Sequence, residues 1–502
     1  MLLSLQWFWP VLLLYLSLQS VEAQFPRSCT TPDALKTRKC CPPWNGSPCG
    51  FRSGRGECEL LIIRDLQVDY RVNWPRVFYD WVCKCKKNYD GFDCSQCLPG
   101  WKGPQCQQRH HVERKEITDL TDGERETFFS SLQQAKHSVS KHYMILTSND
   151  TTVDGNYAFH NATVYDLYVW MHYYAAKSYP GTHDNAAHKG PAFPFWHRVF
   201  LLFIEREIRE LTGNQDFFIP YWDWTRTNHC NICTNKYFGG VGPGGRIDSA
   251  SPFSKWKTIC PFKEDRSIIC IPSNTIEPVI RNPGKDPMFN TLPSAEDVED
   301  ILASQHFDSF PYDKTSRNSF RNKLEGFDIP KDSRHLNASM HNLVHDYFYG
   351  TMSLVPTAAN DPIFMLHHSF VDKIIEKWLQ DHEDATYPDS DHVQPPQRAK
   401  ANMAPFFPLR TNDYYWGRDT QSLGYSYKEY SFFNTEGFLK KFTGIYWKWL
   451  VLGVCATVLV CIILGVIIKC KDKICRRQNT GTEVDQSEEH QLSALCLDER
   501  EN

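Results

Sequence analysis

The residues that can do chemistry are histidines, and they fall into two groups. Met340-His341-Asn342-Leu343-Val344-His345 is followed by Asn360-Asp361-Pro362-Ile363-Phe364-Met365-Leu366-His367-His368, then by Asp372 and Trp378. His341 and His345 are four apart, so a helix places both imidazoles on one face, a turn apart. That lets two nitrogens converge on one metal ion. Asn360-Asp361-Pro362 is a turn that can start the next helix, with Pro362 in its first turn. His367 or His368 then supplies a third nitrogen from that helix. One His pair at helical spacing is more often packing or surface than a ligand set. A second group weakens that reading: Trp170-Met171-His172-Tyr173-Tyr174, His188, and Phe195-Trp196-His197-Arg198. Two sets of three His, with no Cys or carboxylate at ligand spacing, point to paired metal ions held by imidazole alone. Imidazole suits Zn, Cu, Fe and Ni. An all-nitrogen pair with open positions suits copper handling O₂, and spacing alone leaves zinc open.

Positioning such a site takes helices. Periodicity predicts them over 128–142, over 164–174 with His172, over 196–211 with His197, and over 368–379 with His368. In the third, Phe200, Leu201, Phe203 and Ile204 face inward and Glu205, Arg206, Glu207, Arg209 and Glu210 outward. Helices that present inward side chains to a buried metal pair are a common bundle solution. Gly239–Arg246 and Pro272–Pro293 read as loops, stapled by Cys230 with Cys233 and by Cys260 with Cys270.

The 502 residues give room for a sizeable core and more than one domain. A net charge of −4 argues against a nucleic-acid partner. Residues 1–23 read as a secretory signal ending Val21-Glu22-Ala23. Ten Cys between Cys29 and Cys106 then imply disulfides in an oxidising compartment. Zinc knuckles are the rival, through Cys94 and Cys97. Trp449 to Ile468 carries no charge and is long enough to span a bilayer. Lys469, Lys471, Lys473, Arg476 and Arg477 follow, which puts the C-terminal side in the cytosol. Cys470 and Cys475 are candidates for palmitoylation, and the tail is polar and acidic. Asn45, Asn149, Asn161 and Asn337 head glycosylation sequons.

The two His groups resemble the copper A and copper B signatures of the type-3 copper proteins of the tyrosinase family. Pro191-Ala192-Phe193 leading to Trp196-His197-Arg198 is similar to the first signature. Asp361-Pro362-Ile363-Phe364 leading to His367-His368 and Asp372 is similar to the second. Ile219-Pro220-Tyr221-Trp222-Asp223-Trp224 lies between them as in that family. The likeness runs from about Phe25 to the membrane segment. It implies a mainly α fold: a four-helix-bundle dicopper core, a small disulfide-rich region ending in an EGF-like module, and one transmembrane helix. The segments it implies are 1–23 signal, 24–108 Cys-rich, 109–432 dicopper domain, 433–448 stalk, 449–468 membrane helix and 469–502 cytosolic tail. It pairs Cys85 with Cys94 and Cys97 with Cys106.

The resemblance makes His172, His188 and His197 the copper A ligands, and His341, His345 and His368 the copper B ligands. His367 becomes a non-ligand neighbour. Asn185-Ala186-Ala187 stands where relatives carry Asp-Phe, and the loop is short, so His183 stays open as a rival to His188. The implied activity is copper-dependent hydroxylation of monophenols and oxidation of catechols. L-tyrosine would pass with O₂ through L-DOPA to dopaquinone, the entry to melanin synthesis. Glu325 and Asn342 match a pair that holds a water as base. Val355 matches a position bordering the substrate ring. Asp346, where relatives carry an apolar or basic residue, lies one helical position past His345, where a carboxylate can border the pocket mouth and attract the substrate ammonium; the plainer reading has it facing water or capping a neighbouring loop. The family implies a single-pass melanosome membrane protein with its catalytic part lumenal, in contact with membrane lipid. Sorting adaptors are a partner class left open, because Glu488–Leu492 only partly matches an acidic dileucine signal. The alternatives are a zinc tautomerase acting on dopachrome and, in another class, a membrane-anchored adhesion or receptor protein.

Overall fold

Helices begin where the sequence supplies caps. In the computed structural model, which describes residues 25–428 except 70, 72, 151–155, 180–181, 262–269, 271–276 and 330–337, together with 456–465 and 469, a short helix α1 spans Pro32–Thr37. Helix α2 spans Asp122–His137, not 128–142. Thr121 and Glu124 form a capping box that starts it early. Ser138 turns extended and ends it, and the chain enters the strand Tyr143–Asp150. Helix α3, Val164–Ala176, is capped by Thr163 and buried on every side except at Asp166. A helix apolar all round belongs at the centre of a domain. Helix α4, Phe193–Thr212, ends at Gly213, whose φ of 72° is the left-handed cap that glycine takes most readily. Four further helices follow: α5 at Ala295–Leu302, α6 at Phe320–Glu325, α7 at Met340–Phe348 and α8 at Ile363–Asp381. Helix α8 starts five residues before the expected 368, directly after Pro362.

Buried ion pairs set the angles between these helices. Arg198 on α4 donates through Nε to Asp372 on α8 at 2.5 Å and through Nη2 to Glu376 at 2.9 Å. Arg114 and the hydroxyls of Tyr425 and Tyr427 also donate to Asp372. Arg281 grips Asp361 at 2.6 and 2.9 Å, and Asp361 accepts from the Ile363 amide, so the start of α8 is held. Unpaired, each of these charges would be strongly unfavourable in the core; breaking one pair costs ~3–5 kcal/mol. Gly326, at φ 105°, closes α6 against α7: a Cβ there would lie 2.0 Å from the Ser339 carbonyl.

The Cys-rich segment has disulfides in place of a large core. The expected Cys85–Cys94 and Cys97–Cys106 are present, with Cys29–Cys40, Cys41–Cys58 and Cys49–Cys83. Cys94 and Cys97 belong to different bridges, which removes the zinc-knuckle rival. Cys230–Cys233 and Cys260–Cys270 form as expected. Strand Gly56–Leu60 pairs antiparallel with Trp81–Cys85, and Lys39–Cys40 adds to the latter in parallel. The segment docks on the helices by polar contacts. Asp90 accepts from Arg206 and Arg410. Arg71 donates to the carbonyls of Tyr174 and Lys177 at the end of α3. Gln96 donates to Glu207 and Glu210, and His142 lies between the same two carboxylates.

Residues 1–428 and 429–502 are separate units. The expected signal and most of the expected span fall outside the described residues. Residues 456–465 are helical, with Val458, Leu459, Val460, Ile462, Ile463 and Leu464 exposed. No helix among the described residues is long and apolar enough to cross a membrane. Asn45 stands exposed at a hairpin tip with φ 45°, and exposed Asn161 accepts from Arg27. Asn149 lies in the strand Tyr143–Asp150, and Asn337 is outside the described residues.

The seam at His142 gives a pH prediction. Burial alone would lower its pKa, but Glu207 and Glu210 outweigh burial and raise it above 6.5. Glu207 is lowered: burial opposes this, and the His142 contact wins. A raised His contributes stability that is fully present below its unfolded value and lost as pH rises through the folded one. A lowered Glu contributes stability that is lost on acidification. The contact is therefore strongest between the two ranges. His142→Gln should flatten the fall in Tm as pH rises past 6.5 relative to wild type, and an equally steep fall in the variant would exclude His142 as its source.

Candidate dimetal centre

Each expected ligand except one is placed by a helix. His172 is on α3, His197 on α4, His341 and His345 on α7, and His368 on α8. His188 sits in the loop between α3 and α4. Asn185 folds that loop, its Oδ1 accepting from the amides of Ala187 and His188 at 3.0 and 2.7 Å. Gln397, from more than two hundred residues away, donates to the carbonyls of Asn185 and His188 and accepts from the Ala192 amide. Gly190 lets it approach: a Cβ there would lie 2.6 Å from the Gln397 Oε1. The structure thus brings His188 to His172 and His197, and leaves His183 exposed outside the group. Ring centres in this first set are 5.1 to 5.7 Å apart.

Hydrogen bonds to Nδ1 decide which nitrogens are bare. His345 Nδ1 donates to the Met352 carbonyl at 2.8 Å, His197 Nδ1 to the Phe193 carbonyl at 2.8 Å, and His341 Nδ1 to Asn342 Oδ1 at 3.0 Å. A neutral imidazole has one N–H, so Nε2 in each is a bare lone pair. The Nε2 atoms of His345 and His341 are 3.0 Å apart, and those of His341 and His368 are 3.3 Å apart. Two bare lone pairs cannot bond one another at 3.0 Å. They fit a shared cation: nitrogens ~2 Å from one ion stand about 3 Å apart. In the first set, both nitrogens of His172, Nδ1 of His188 and Nε2 of His197 are buried without a hydrogen-bond partner. Buried polar atoms left this way call for an ion or water, so the donor set fits two metal ions.

The two sets touch. His197 and His368 stack at 4.0 Å with 6° between the rings. Phe364 packs on His172 at 4.7 Å and on His368 at 4.3 Å, and Phe193 packs on His341 at 4.8 Å and His197 at 5.1 Å. Burial pushes the pKa of all six imidazoles down, His197 to about 3 and His345 to about 4. Burial therefore favours the neutral imidazole, the form that can donate a lone pair to a metal ion.

His367 is equally buried but differs in one contact. Its Nδ1 accepts from the Trp224 indole N–H at 3.2 Å. Glu325 ends α6 behind the loop of His188. Its Oε1 accepts from the Lys189 amide at 2.6 Å and its Oε2 from Arg321 at 3.3 Å, and burial raises its pKa to about 7. Asn342 is half-buried and committed through Oδ1 to His341. Asp346 is half-buried, its pKa raised to about 6 by burial and by Asp286. Val355 is 43% exposed beside Leu354. Spacing gave no signal for Gln397 or Trp224, because each acts across a long stretch of chain.

A family model, the common central domain of tyrosinase, matches residues 162–381. The chain is 38% identical to the tyrosinase of Gallus gallus, covering 94% of this chain and 95% of that one. It is 39% identical to the tyrosinase of Bos taurus over 82% of this chain and 83% of that one. It is 35% identical to the 5,6-dihydroxyindole-2-carboxylic acid oxidase of Ambystoma mexicanum over 81% and 83%.

The tautomers predict unequal roles for adjacent histidines. His368→Ala should lose one of two bound metal ions with the activity, while His367→Ala keeps both. Metal content by atomic absorption checks this, and equal losses would contradict it.

Proposed function

The chain belongs to the tyrosinase family, and on that premise we propose how its residues carry out the chemistry. It is a copper-dependent oxidoreductase with a type-3 pair of copper ions, hydroxylating monophenols and oxidising o-diphenols in melanin synthesis. Tyrosine plus O₂ gives dopaquinone plus water, with DOPA as the o-diphenol substrate. The zinc tautomerase and the non-catalytic receptor are not favoured by these relatives. The observation that carries the reading is the convergence of bare imidazole nitrogens at 3.0 and 3.3 Å beside a second three-His set.

His172, His188 and His197 hold one copper, and His341, His345 and His368 the other. Bound there, the pair supplies the two-electron activation of O₂. The chain's own residues do the rest. Phe193 and Phe364 line both sets and keep water out. Asn342 fixes the tautomer of His341. Glu325, at about 7, is poised to take the phenol proton near neutral pH, directly or through a water held with Asn342. Helices α3, α4, α7 and α8 form a four-helix dicopper core. We keep for this reading the segments 1–23, 24–108, 109–432, 433–448, 449–468 and 469–502. The exposed apolar side chains of 456–465 support a membrane anchor over 449–468, with residues 24–448 in the lumen of a melanosome and glycans at Asn45, Asn149, Asn161 and Asn337.

A monophenol must bind as phenolate, whereas the two protons that an o-diphenol releases can pass to the oxygen being reduced to water, so Glu325→Gln should cut phenol hydroxylation about a hundredfold and catechol oxidation far less. The acid limb of the hydroxylation profile near pH 7 should vanish with it, because Glu325 is the base only when deprotonated. An unchanged ratio of the two rates would remove Glu325 from the mechanism. In this reading Asp346 borders the pocket mouth and Val355 the substrate ring. Asp346→Ile should lower kcat/KM for tyrosine about two- to fivefold and spare a phenol lacking the amine, the gap shrinking in high salt. Equal losses on both substrates would make Asp346 structural.

A further inference from the structure

Four histidines crowd the second metal group, yet the chemistry needs an open coordination position there. His341, His345, His367 and His368 all offer a ring nitrogen within 4.8 Å of the others. His367 is fully buried, its ring stacked on His341 at 5.0 Å and 5.0 Å from His345. Nothing in its distance keeps it from becoming a fourth ligand. We propose that Trp224 locks His367 in the Nε2–H tautomer, so that His367 stays a non-ligand and the site keeps three imidazoles and an open position. The proposal rests on the ligand assignment above.

The argument starts from the indole. Trp Nε1–H can only donate. His367 Nδ1, 3.2 Å away, must therefore be the bare nitrogen, and the single proton of the neutral ring sits on Nε2. A protonated nitrogen cannot bind a metal. Nε2 makes no full hydrogen bond, and the nearby His341 backbone carbonyl favours a proton on that same side of the ring, so Trp224 supplies the one hydrogen bond to Nδ1. The opposite tautomer would face two N–H groups at one another and leave the buried indole donor unpaired.

The indole has little freedom to yield. Trp224 is fully buried and packs edge-on against Phe370 at 4.8 Å. It opens the turn Trp224–Arg226, which the Asp223 carboxylate caps through the Thr225 amide and hydroxyl. The turn is tied to α8 just before His367, because the Trp222 amide donates to the Leu366 carbonyl at 3.2 Å. The donor and the ring it controls therefore move together.

The copper-loaded chain tests this, with copper content and X-ray absorption counting imidazoles per copper. Trp224→Phe should keep both copper ions, show more imidazole per copper, and lose turnover about tenfold. Adding His367→Leu to it should return the imidazole count to that of wild type and recover turnover. An unchanged count in copper-replete Trp224→Phe overturns the lock. His367→Leu alone keeps the proposal falsifiable if Trp224→Phe does not fold: loss of copper or of an imidazole makes His367 a ligand and ends the proposal. His368→Ala retaining both copper ions would instead sink the ligand assignment.

Discussion

Bare nitrogen lone pairs converge in a dry interior, and the rest of the domain exists to hold them there. Without a cation the approach of His345 and His341 at 3.0 Å is repulsive. With one, it is a ligand set. A side chain left to relax would turn away from that repulsion, so each ring is pinned from behind. The Met352 and Phe193 carbonyls and Asn342 take the Nδ1 protons, and Phe193 and Phe364 fill the faces. Pinning and tautomer choice are one act, because the bond that fixes the ring also decides which nitrogen is bare.

The helices need the same rigidity at larger scale. His197 and Arg198 are consecutive on α4, and His368 and Asp372 are a turn apart on α8. The Arg198–Asp372 pair therefore sits beside His197 and one turn from His368 and holds these stacked rings, one from each histidine group, in register. Replacing such a pair by apolar side chains can leave stability intact. A slide of α4 along α8 would still separate the two ligand sets. The use of buried charge here is positional: directional bonds define one alignment, where apolar packing tolerates several.

The Cys-rich segment contributes to the site at one remove. Arg71 caps the end of α3, which carries His172, and Asp90 and Gln96 brace the outer face of α4, which carries His197, beside His142 of the helical domain. The segment is held internally by disulfides and packs Phe25, Tyr79 and Phe92 against Phe159, Phe407 and Tyr143. Its contacts with α3 and α4 named above are polar and include titratable groups, so this part of the seam responds to pH.

The sequence by itself determined which helices carry the clustered histidines and the disulfide spacing of the Cys-rich segment. These are readable because helical period, ligand chemistry and loop length are local properties of the chain. Periodicity misplaced the ends of α2, where the Thr121–Glu124 box overrode it, and put the start of α8 at 368, where the Asn360-Asp361-Pro362 turn had marked it correctly. The sequence could not separate His188 from His183, or His368 from His367, by spacing. Those choices belong to the tertiary structure. Asn185 and Gln397 fold the loop that delivers His188, and the Trp224 indole takes His367 Nδ1. Gln397 and Trp224 lie more than a hundred residues from the histidines they act on, and their hydrogen bonds exist only after the helices have packed.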